Sequence, residues 1–297
     1  MIYRNFGSTK ERVSAIGLGG YHIGVPKEDE GIRIIRTALD RGLNFLDNSW
    51  DYHDGGSEVV MGKALRDGYR QEAFLMTKYN GRTKASAAQQ IDDSLKRLQT
   101  DHIDLIQFHE NIRMTDPDKY FGPNGAHEAV MAPKKAGKVR YIGFTGHKDP
   151  SIHLHMLDMA AKNGFHFDSC QMPLNVLDYH FRSFAHQVAP RLVAEKTAVL
   201  AMKPLGSGLM FKLKDIDALA CLHYSLNLPT SVVMNGCDSM ERLEQAFVAM
   251  KTFKPMSVAE VEALTGKTRE GALSGRIERF KTSEDFDGTA HNPSSMG

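Results

Sequence analysis

No run of about 18 apolar residues, the length needed to span a bilayer, occurs anywhere in these 297 residues. The opening MIYRNFGSTK lacks the apolar core of a secretory leader. Only three cysteines are present, Cys170, Cys221 and Cys237, and no two of them form a CxxC pair. Their odd number and scatter argue against a disulfide framework and against iron–sulfur or zinc ligation. Net charge is almost absent too, since 37 basic and 36 acidic residues leave +1. That balance gives no field suited to nucleic acid or an anionic membrane. We therefore expect a cytoplasmic protein with no nucleic-acid or membrane partner. The oligomeric state is not legible.

What the chain does have is alternation. A hairpin is expected first, with a strand over Tyr3–Phe6, a turn at Gly7-Ser8, and an apolar stretch over Val13–Leu18. Helical spacing of Ile32, Ile35 and Leu39 marks a helix over Glu28–Arg41, with Gly42 as its C-terminal cap. Short apolar strands are then expected at Leu43–Leu46, Ala73–Thr77, Ile103–Phe108, Val139–Phe144, Phe167–Gln171, Ala198–Met202 and Ser231–Met234. Helices fall between them near Ser57–Arg66, Lys84–Gln99, Glu128–Lys135, Pro150–Lys162, Ser183–Lys196 and Lys214–Ser225. Strands apolar on both faces are those of a parallel sheet covered by helices. Eight strand–helix units in about 250 residues imply an α/β fold, a (β/α)8 TIM barrel. An open doubly wound sheet is the alternative, but no GxGxxG follows the first strand. We expect one domain over 1–297, with the barrel at about 13–250. An N-terminal β-hairpin precedes it, and a helical and loop extension follows over 251–297. The last part, from Thr282, is expected to be disordered or to cover the mouth.

In such a barrel the chemistry gathers at the C-terminal ends of the strands. The residues there include Asp47 and Tyr52 after the second barrel strand, Lys78 after the third and His109 after the fourth. A buried lysine needs a partner, and Asp47 can supply one. A phenol titrates near about 10, and an ammonium beside it favours phenolate, so Lys78 is expected to lower the pKa of Tyr52. That would suit Tyr52 to proton donation. His109 could orient a carbonyl oxygen. Read singly, each residue has a plainer explanation, such as a surface lysine for Lys78. Asp51, Asp54 and Glu58 are read as solvated loop and helix-start charges. His153 and His155 form an HxH on different faces of a helix, a poor metal site.

Leu46-Asp47-Asn48-Ser49-Trp50-Asp51-Tyr52, Met76-Thr77-Lys78 and Asp104-Leu105-Ile106-Gln107-Phe108-His109 together resemble the Asp, Tyr, Lys, His tetrad of the aldo-keto reductase family. Ser94–Leu105, Arg140–Thr145 and Ala201–Gly206 are similar to further family segments, in family order, over roughly residues 1–250. The resemblance implies a nicotinamide-dependent reduction of an aldehyde or ketone, or oxidation of an alcohol. Tyr52 would be the proton donor, Asp47 and Lys78 its tuning pair, and His109 the orienting group.

The resemblance also implies cofactor contacts at Gly19, Gly20, Tyr21, Asp47, Thr145, Gly146, Gln171, Met202, Lys203, Pro204, Leu205, Gly206, Ser207 and Gly208. At the adenosine end it implies Gly236, Cys237, Asp238, Arg242 and Gln245. Trp50, Tyr79 and His109 are expected to line the substrate pocket. The sequence departs from the family pattern in several places. Gly146 stands where Asn is common, Met202 where an aromatic ring stacks, Lys203 where Ser is common, and Gly236 where NADP-preferring members carry Lys or Arg. Lys203 could meet a phosphate instead. Arg242 favours NADP and Asp238 favours NAD; the family weighting puts NADP first. Loop residues 111–125 and the segment after Pro255 would set the substrate, and the polar loop suits a sugar-like or hydroxylated carbonyl compound. Two rival functions are a metal-dependent hydrolase and a cofactor-binding redox-sensing or regulatory subunit with little turnover.

Overall fold

The computed structural model describes residues 1–297. Ten strands are present. The first two, β1 (Tyr3–Asn5) and β2 (Arg12–Ser14), form an antiparallel hairpin. The others are β3 (Ile16–Gly19), β4 (Phe45–Asp47), β5 (Phe74–Tyr79), β6 (Ile103–Phe108), β7 (Val139–Thr145), β8 (Ser169–Pro173), β9 (Ala198–Met202) and β10 (Val232–Gly236). These eight run parallel in sequence order, and β10 closes on β3. The fold is thus a closed (β/α)8 barrel with an N-terminal hairpin. The apolar stretch Val13–Leu18 divides at Ala15, giving one strand to the hairpin and one to the barrel.

Strand periodicity decides what enters the barrel. Phe45, Phe74, Met76, Leu105, Leu200, Val232 and Met234 point inward and pack with Phe6 and Val13 of the hairpin, which plugs the N-terminal end. Their neighbours Leu46, Leu75, Tyr79, Ile106 and Phe108 point outward into a 52-residue layer shared with the helices. Because successive side chains alternate, Asp47, Lys78 and His109 continue the inward rows of β4, β5 and β6.

Two helical expectations and one loop need correction. The helix expected over Ser183–Lys196 is broken into Phe184–Gln187 and Ala189–Ala194. Pro190 lacks the amide that would continue the first segment, and it sits comfortably in the opening turn of the second. The helix expected from Lys214 starts at Ala218, where Asp217 caps it by accepting from the Ala220 amide at 2.7 Å. Within the loop 111–125 a short helix, Asp116–Phe121, forms around Pro117.

The extension contains a helix, Val258–Ala272, opened by a Ser257/Glu260 capping box. Its Leu264 and Ala272 pack on Val176, Leu177, Met210 and Tyr224. The remaining tail crosses the barrel mouth. No helix is long and apolar enough to cross a membrane.

Candidate active site

The chain leaves β4 at Asp47 and stays alongside β5, the Asn48 amide donating to Met76 and the Trp50 amide to Lys78. It then turns through Tyr52 and through His53 and Asp54, both with left-handed φ, of 53° and 55°. This path returns the Tyr52 hydroxyl to the end of Lys78. The Lys78 ammonium donates to Asp47 Oδ1 at 2.5 Å, to the Asn48 carbonyl at 2.7 Å and to the Tyr52 hydroxyl at 3.2 Å. His109 closes the group, its ring centroid 6.0 Å from that of Tyr52 in an edge-on arrangement. All four residues of the expected tetrad therefore meet at one point.

Their electrostatics differ from expectation in one respect. Burial raises the Tyr52 pKa above its ordinary value; Lys78 pulls it down, but Asp47 and Asp51 add to the rise. The phenol is held protonated rather than poised to ionise. Burial works against the Lys78 ammonium as well, yet Asp47 and Tyr52 outweigh it and raise its pKa. Burial lowers the pKa of His109, with Asp51 and Glu110 opposing.

Gln171 donates to Asp47 Oδ2 at 3.2 Å, and its Oε1 is buried with no partner. An acceptor held in this way fits the amide N–H of a nicotinamide carboxamide. Thr145 lies alongside, with its hydroxyl 3.9 Å from the Met202 sulfur. Gly146 cannot be the family's Asn here: a Cβ would stand 2.3 Å from the Asn111 carbonyl oxygen and 2.9 Å from the His153 ring. Lys203, in a left-handed conformation at φ 54°, directs its ammonium between the rings of Phe280 and Phe286, 5.3 and 5.2 Å from their centroids. Burial pushes its pKa down to about 8. Beyond Pro204, Leu205 and Gly206 begin a turn with positive φ at Gly206, Ser207 and Gly208. The Gly206 and Gly208 amides are spent on the carbonyls of Lys203 and Leu205.

Gly19 ends β3 and Gly20 opens the helical turn Gly20–Ile23, in which an exposed Tyr21 packs edge-on against Tyr52 at 5.5 Å. At the adenosine end, a Cβ on Gly236 would lie 2.3 Å from His22 Nδ1, so the histidine ring occupies the space a longer residue would need. Asp238 and Arg242 are exposed at the start of the helix Met240–Thr252, and Arg242 reaches Gln245 at 3.5 Å. Cys237 is a core residue, buried beside Asn235 with its thiol pKa pushed up by burial to about 12.

The structure moves two expected pocket residues away from the mouth. Tyr79 follows Lys78 by one position and so faces outward. It is fully buried against Phe108 and Tyr120. Trp50 lies toward the helix Lys84–Leu98, under the Arg97 guanidinium and 3.4 Å from Asp93. Two charges assigned to solvent are not solvated. Glu58 is fully buried and accepts from Thr77 at 2.6 Å, and Asp51 lies beside His109, 3.6 Å from Nδ1. His153 is buried between Phe144 and Phe184, whereas His155 faces Asp118 at 3.2 Å.

Sequence reasoning also missed most of the tail's contacts. Glu110 accepts from the Gly288 and Thr289 amides at 2.9 and 2.7 Å. The Met296 carbonyl accepts from the Arg82 amide at 2.8 Å, and the Ser295 carbonyl from Gln90 at 2.7 Å. Behind the tail, Lys281 is fully buried between Asp178 at 2.7 Å and Glu278 at 2.9 Å. No hydrophobic periodicity announces such polar docking.

Comparison with known proteins agrees with the fold. Residues 15–262 match the profile of the Aldo/keto reductase family. The aldo-keto reductase YhdN of Bacillus subtilis is 34% identical over 227 residues, covering 71% of this chain and 64% of that protein. The matched stretch spans about half, 49%, of an aldo-keto reductase of Alternaria alternata at 32% identity over 184 residues. L-galactose dehydrogenase of Arabidopsis thaliana is 27% identical over 307 residues, covering 88% of this chain and 93% of that protein. Among solved structures, the holo form of an aldo-keto reductase from Bacillus halodurans superposes with a TM-score of 0.73 at 24% identity, covering 90% and 96% of the two chains. By this match over most of its length, the chain belongs to the aldo/keto reductase family.

Proposed function

We propose that the protein reduces an aldehyde or ketone, or oxidises the corresponding alcohol, with Tyr52 as the proton donor. The observation that carries this reading is the Lys78 ammonium, in contact with both the Asp47 carboxylate and the Tyr52 hydroxyl. A nicotinamide cofactor, when bound, supplies or accepts the hydride.

The protein's share is position and charge. Tyr52 is held as a neutral phenol and gives its proton to the oxygen that gains charge. Lys78, kept cationic by Asp47, offsets the phenolate left behind. His109, whose Nδ1 is taken up by Asn80, would meet the same oxygen through Nε2. Gln171 and Thr145 would hold the carboxamide, and Lys203 a phosphate. Arg242 and Asp238 would meet the ribose end. Arg242 favours NADP, which we place first, and the Asp238 carboxylate favours NAD. The polar loop after His109 suits a hydroxylated carbonyl compound. A regulatory subunit of little turnover is the second reading, and the tail across the mouth is the observation that favours it.

The test is a panel of aldehydes, ketones and sugars, 4-nitrobenzaldehyde included, assayed with NADPH and NADH on wild type and Tyr52→Phe. Wild type should turn over with a higher kcat/KM for NADPH. Tyr52→Phe should lose on the order of 10²–10⁴-fold in turnover while still binding cofactor. Near-normal activity in that variant removes Tyr52 from its role. Cofactor binding without turnover on the whole panel selects the regulatory reading.

A further inference from the structure

Behind His109 lies a second carboxylate that the reaction scheme above does not use. Asp51 Oδ1 accepts from Ser49 Oγ at 2.6 Å, and Oδ2 accepts from Asn80 Nδ2 at 2.9 Å. Asn80 turns its other amide atom, Oδ1, toward His109 Nδ1 at 2.7 Å. Asp51 Oδ1 is itself 3.6 Å from Nδ1, and the Ser49 hydroxyl is 3.3 Å from it. All the ring's polar contacts fall on this one nitrogen.

The protons in this chain follow by elimination. An ionised carboxylate only accepts, so Asn80 must present its NH2 group to Asp51. Its carbonyl oxygen then faces His109, and that oxygen also only accepts. Nδ1 must therefore carry the proton. In a neutral ring Nε2 is then a bare lone pair.

The backbone on both sides is fixed. The Arg82 guanidinium donates to the Asn80 carbonyl at 2.6 Å and to the Glu110 carbonyl at 2.7 Å, and the Tyr120 hydroxyl donates to the His109 carbonyl at 3.1 Å. The tail closes the outer side with backbone: a Cβ on Gly288 would lie 3.2 Å from Asp51 Oδ2.

We propose that Asp51, acting through Asn80, is a positioning residue that fixes His109 as the Nδ1–H tautomer. The neutral ring then accepts a hydrogen bond from an alcohol hydroxyl, and only the imidazolium donates to a carbonyl oxygen. The consequence for the reaction rests on the function proposed above; the tautomer does not.

The charged and titratable groups facing the ring are Asp51 from the loop after β4, Tyr52 beyond it, Lys78 at the end of β5, Arg82, Glu110 and Tyr120. Burial holds the His109 pKa below its usual value, with Lys78 and Arg82 acting the same way; Asp51 and Glu110 oppose them. The imidazolium is therefore an acid-side species. Reduction should gain on the acid side, while alcohol oxidation keeps its His109 contact at neutral and alkaline pH.

The test is nitrogen NMR on the full-length protein carrying 15N-histidine, with His109 assigned by its loss in His109→Gln. At pH 8 wild type should show Nδ1 in the protonated range and Nε2 in the unprotonated range. Asp51→Asn frees Asn80 to reverse its amide, so the Nε2–H form should appear. The fall of 4-nitrobenzaldehyde reduction with rising pH should set in at lower pH, and kcat should fall on the order of tenfold with cofactor KM unchanged. An Nε2–H ring in wild type overturns the proposal whatever Asp51→Asn does. So does an Asp51→Asn protein with unchanged tautomer and pH profile. An Nδ1–H ring in a protein that turns over no carbonyl or alcohol upholds the positioning role and sinks the function reading instead.

Discussion

Asp287 Oδ1 lies 2.9 Å from Nε2 of His147, joining two residues 140 positions apart in the chain. Its second oxygen meets the Lys148 ammonium at 2.7 Å. With the Glu110 contacts to Gly288 and Thr289, this pairing ties the tail to the loops after β6 and β7. The tail is thereby part of the wall of the proposed site, although it lies beyond the last barrel strand.

Glu110 is the cleanest handle on that docking. Glu110→Ala leaves two partly buried backbone amides without acceptors, at about 1–3 kcal/mol. We expect faster limited proteolysis within residues 284–297 and little change in the midpoint of global unfolding. Unchanged cleavage would mean that the Asp287 contacts hold the tail alone.

The pair beneath the tail has its own pH signature. Burial, with Asp178 beside it, raises the Glu278 carboxyl from 4.5 to about 7, although Lys281 pulls it down. The unfolded chain releases this proton first, so the group's contribution to stability falls as pH rises between these two values. Glu278→Gln should therefore gain melting temperature relative to wild type at pH 8 and show little difference at pH 4.5. Lys281→Met should be costly at both, at about 3–5 kcal/mol, because it strands the buried Asp178 carboxylate, joined at pH 8 by Glu278. Equal offsets for Glu278→Gln at the two pH values would refute the raised pKa.

Lys203 should report on the cofactor. Its pKa is pushed down to about 8 by burial, so its charge fades as pH rises through that value. If it meets a phosphate, the wild-type cofactor Kd weakens above pH 8. Lys203→Met should bind on the order of tenfold more weakly at pH 7 and lose that pH dependence. Titration of NADPH by intrinsic fluorescence at pH 7 and pH 9 measures both. A variant with wild-type affinity would place Lys203 outside the phosphate contacts.

Lys78 and Asp47 form a nearly inaccessible pair, at 1% and 5% exposure. Lys78→Met leaves a buried carboxylate unpaired and should cost about 3–5 kcal/mol in urea unfolding. The double variant with Asp47→Leu should regain much of that stability, yet neither protein should turn over substrate. Activity in the double variant would detach the pair from the chemistry.

The alternation of strands and helices was legible because eight parallel strands buried on both faces leave short apolar runs, and amphipathic helices leave their own spacing. Asp47, Lys78 and His109 were legible as strand-end residues, and Tyr52 through the family resemblance of the segment that carries it. Inward rows such as Phe74, Met76, Lys78 set parity, and strand ends mark the mouth. Parity also explains the error at Tyr79, which is next to Lys78 in sequence and on the opposite face of the strand. Helix ends near Pro190 and Asp217 do not follow apolar spacing, because a proline breaks the first and an aspartate cap starts the second.

Asp51 marks the limit. In the sequence it is one carboxylate in a polar run with Asp54, and nothing local separates the two. Only closure of the barrel brings Asn80 and His109 against it from the ends of β5 and β6, making it a partner rather than a surface charge. The tail is the same case, since its docking rests on polar contacts more than 100 residues apart that no periodicity encodes. The sequence alone determined the barrel and the strand-end residues Asp47, Lys78 and His109, because short apolar runs mark where each strand stops, and it reached Tyr52 through the resemblance of its segment. Tertiary structure decided which charges are buried, which nitrogen of His109 is held, and what covers the mouth, because those depend on distances between segments that the chain order leaves open.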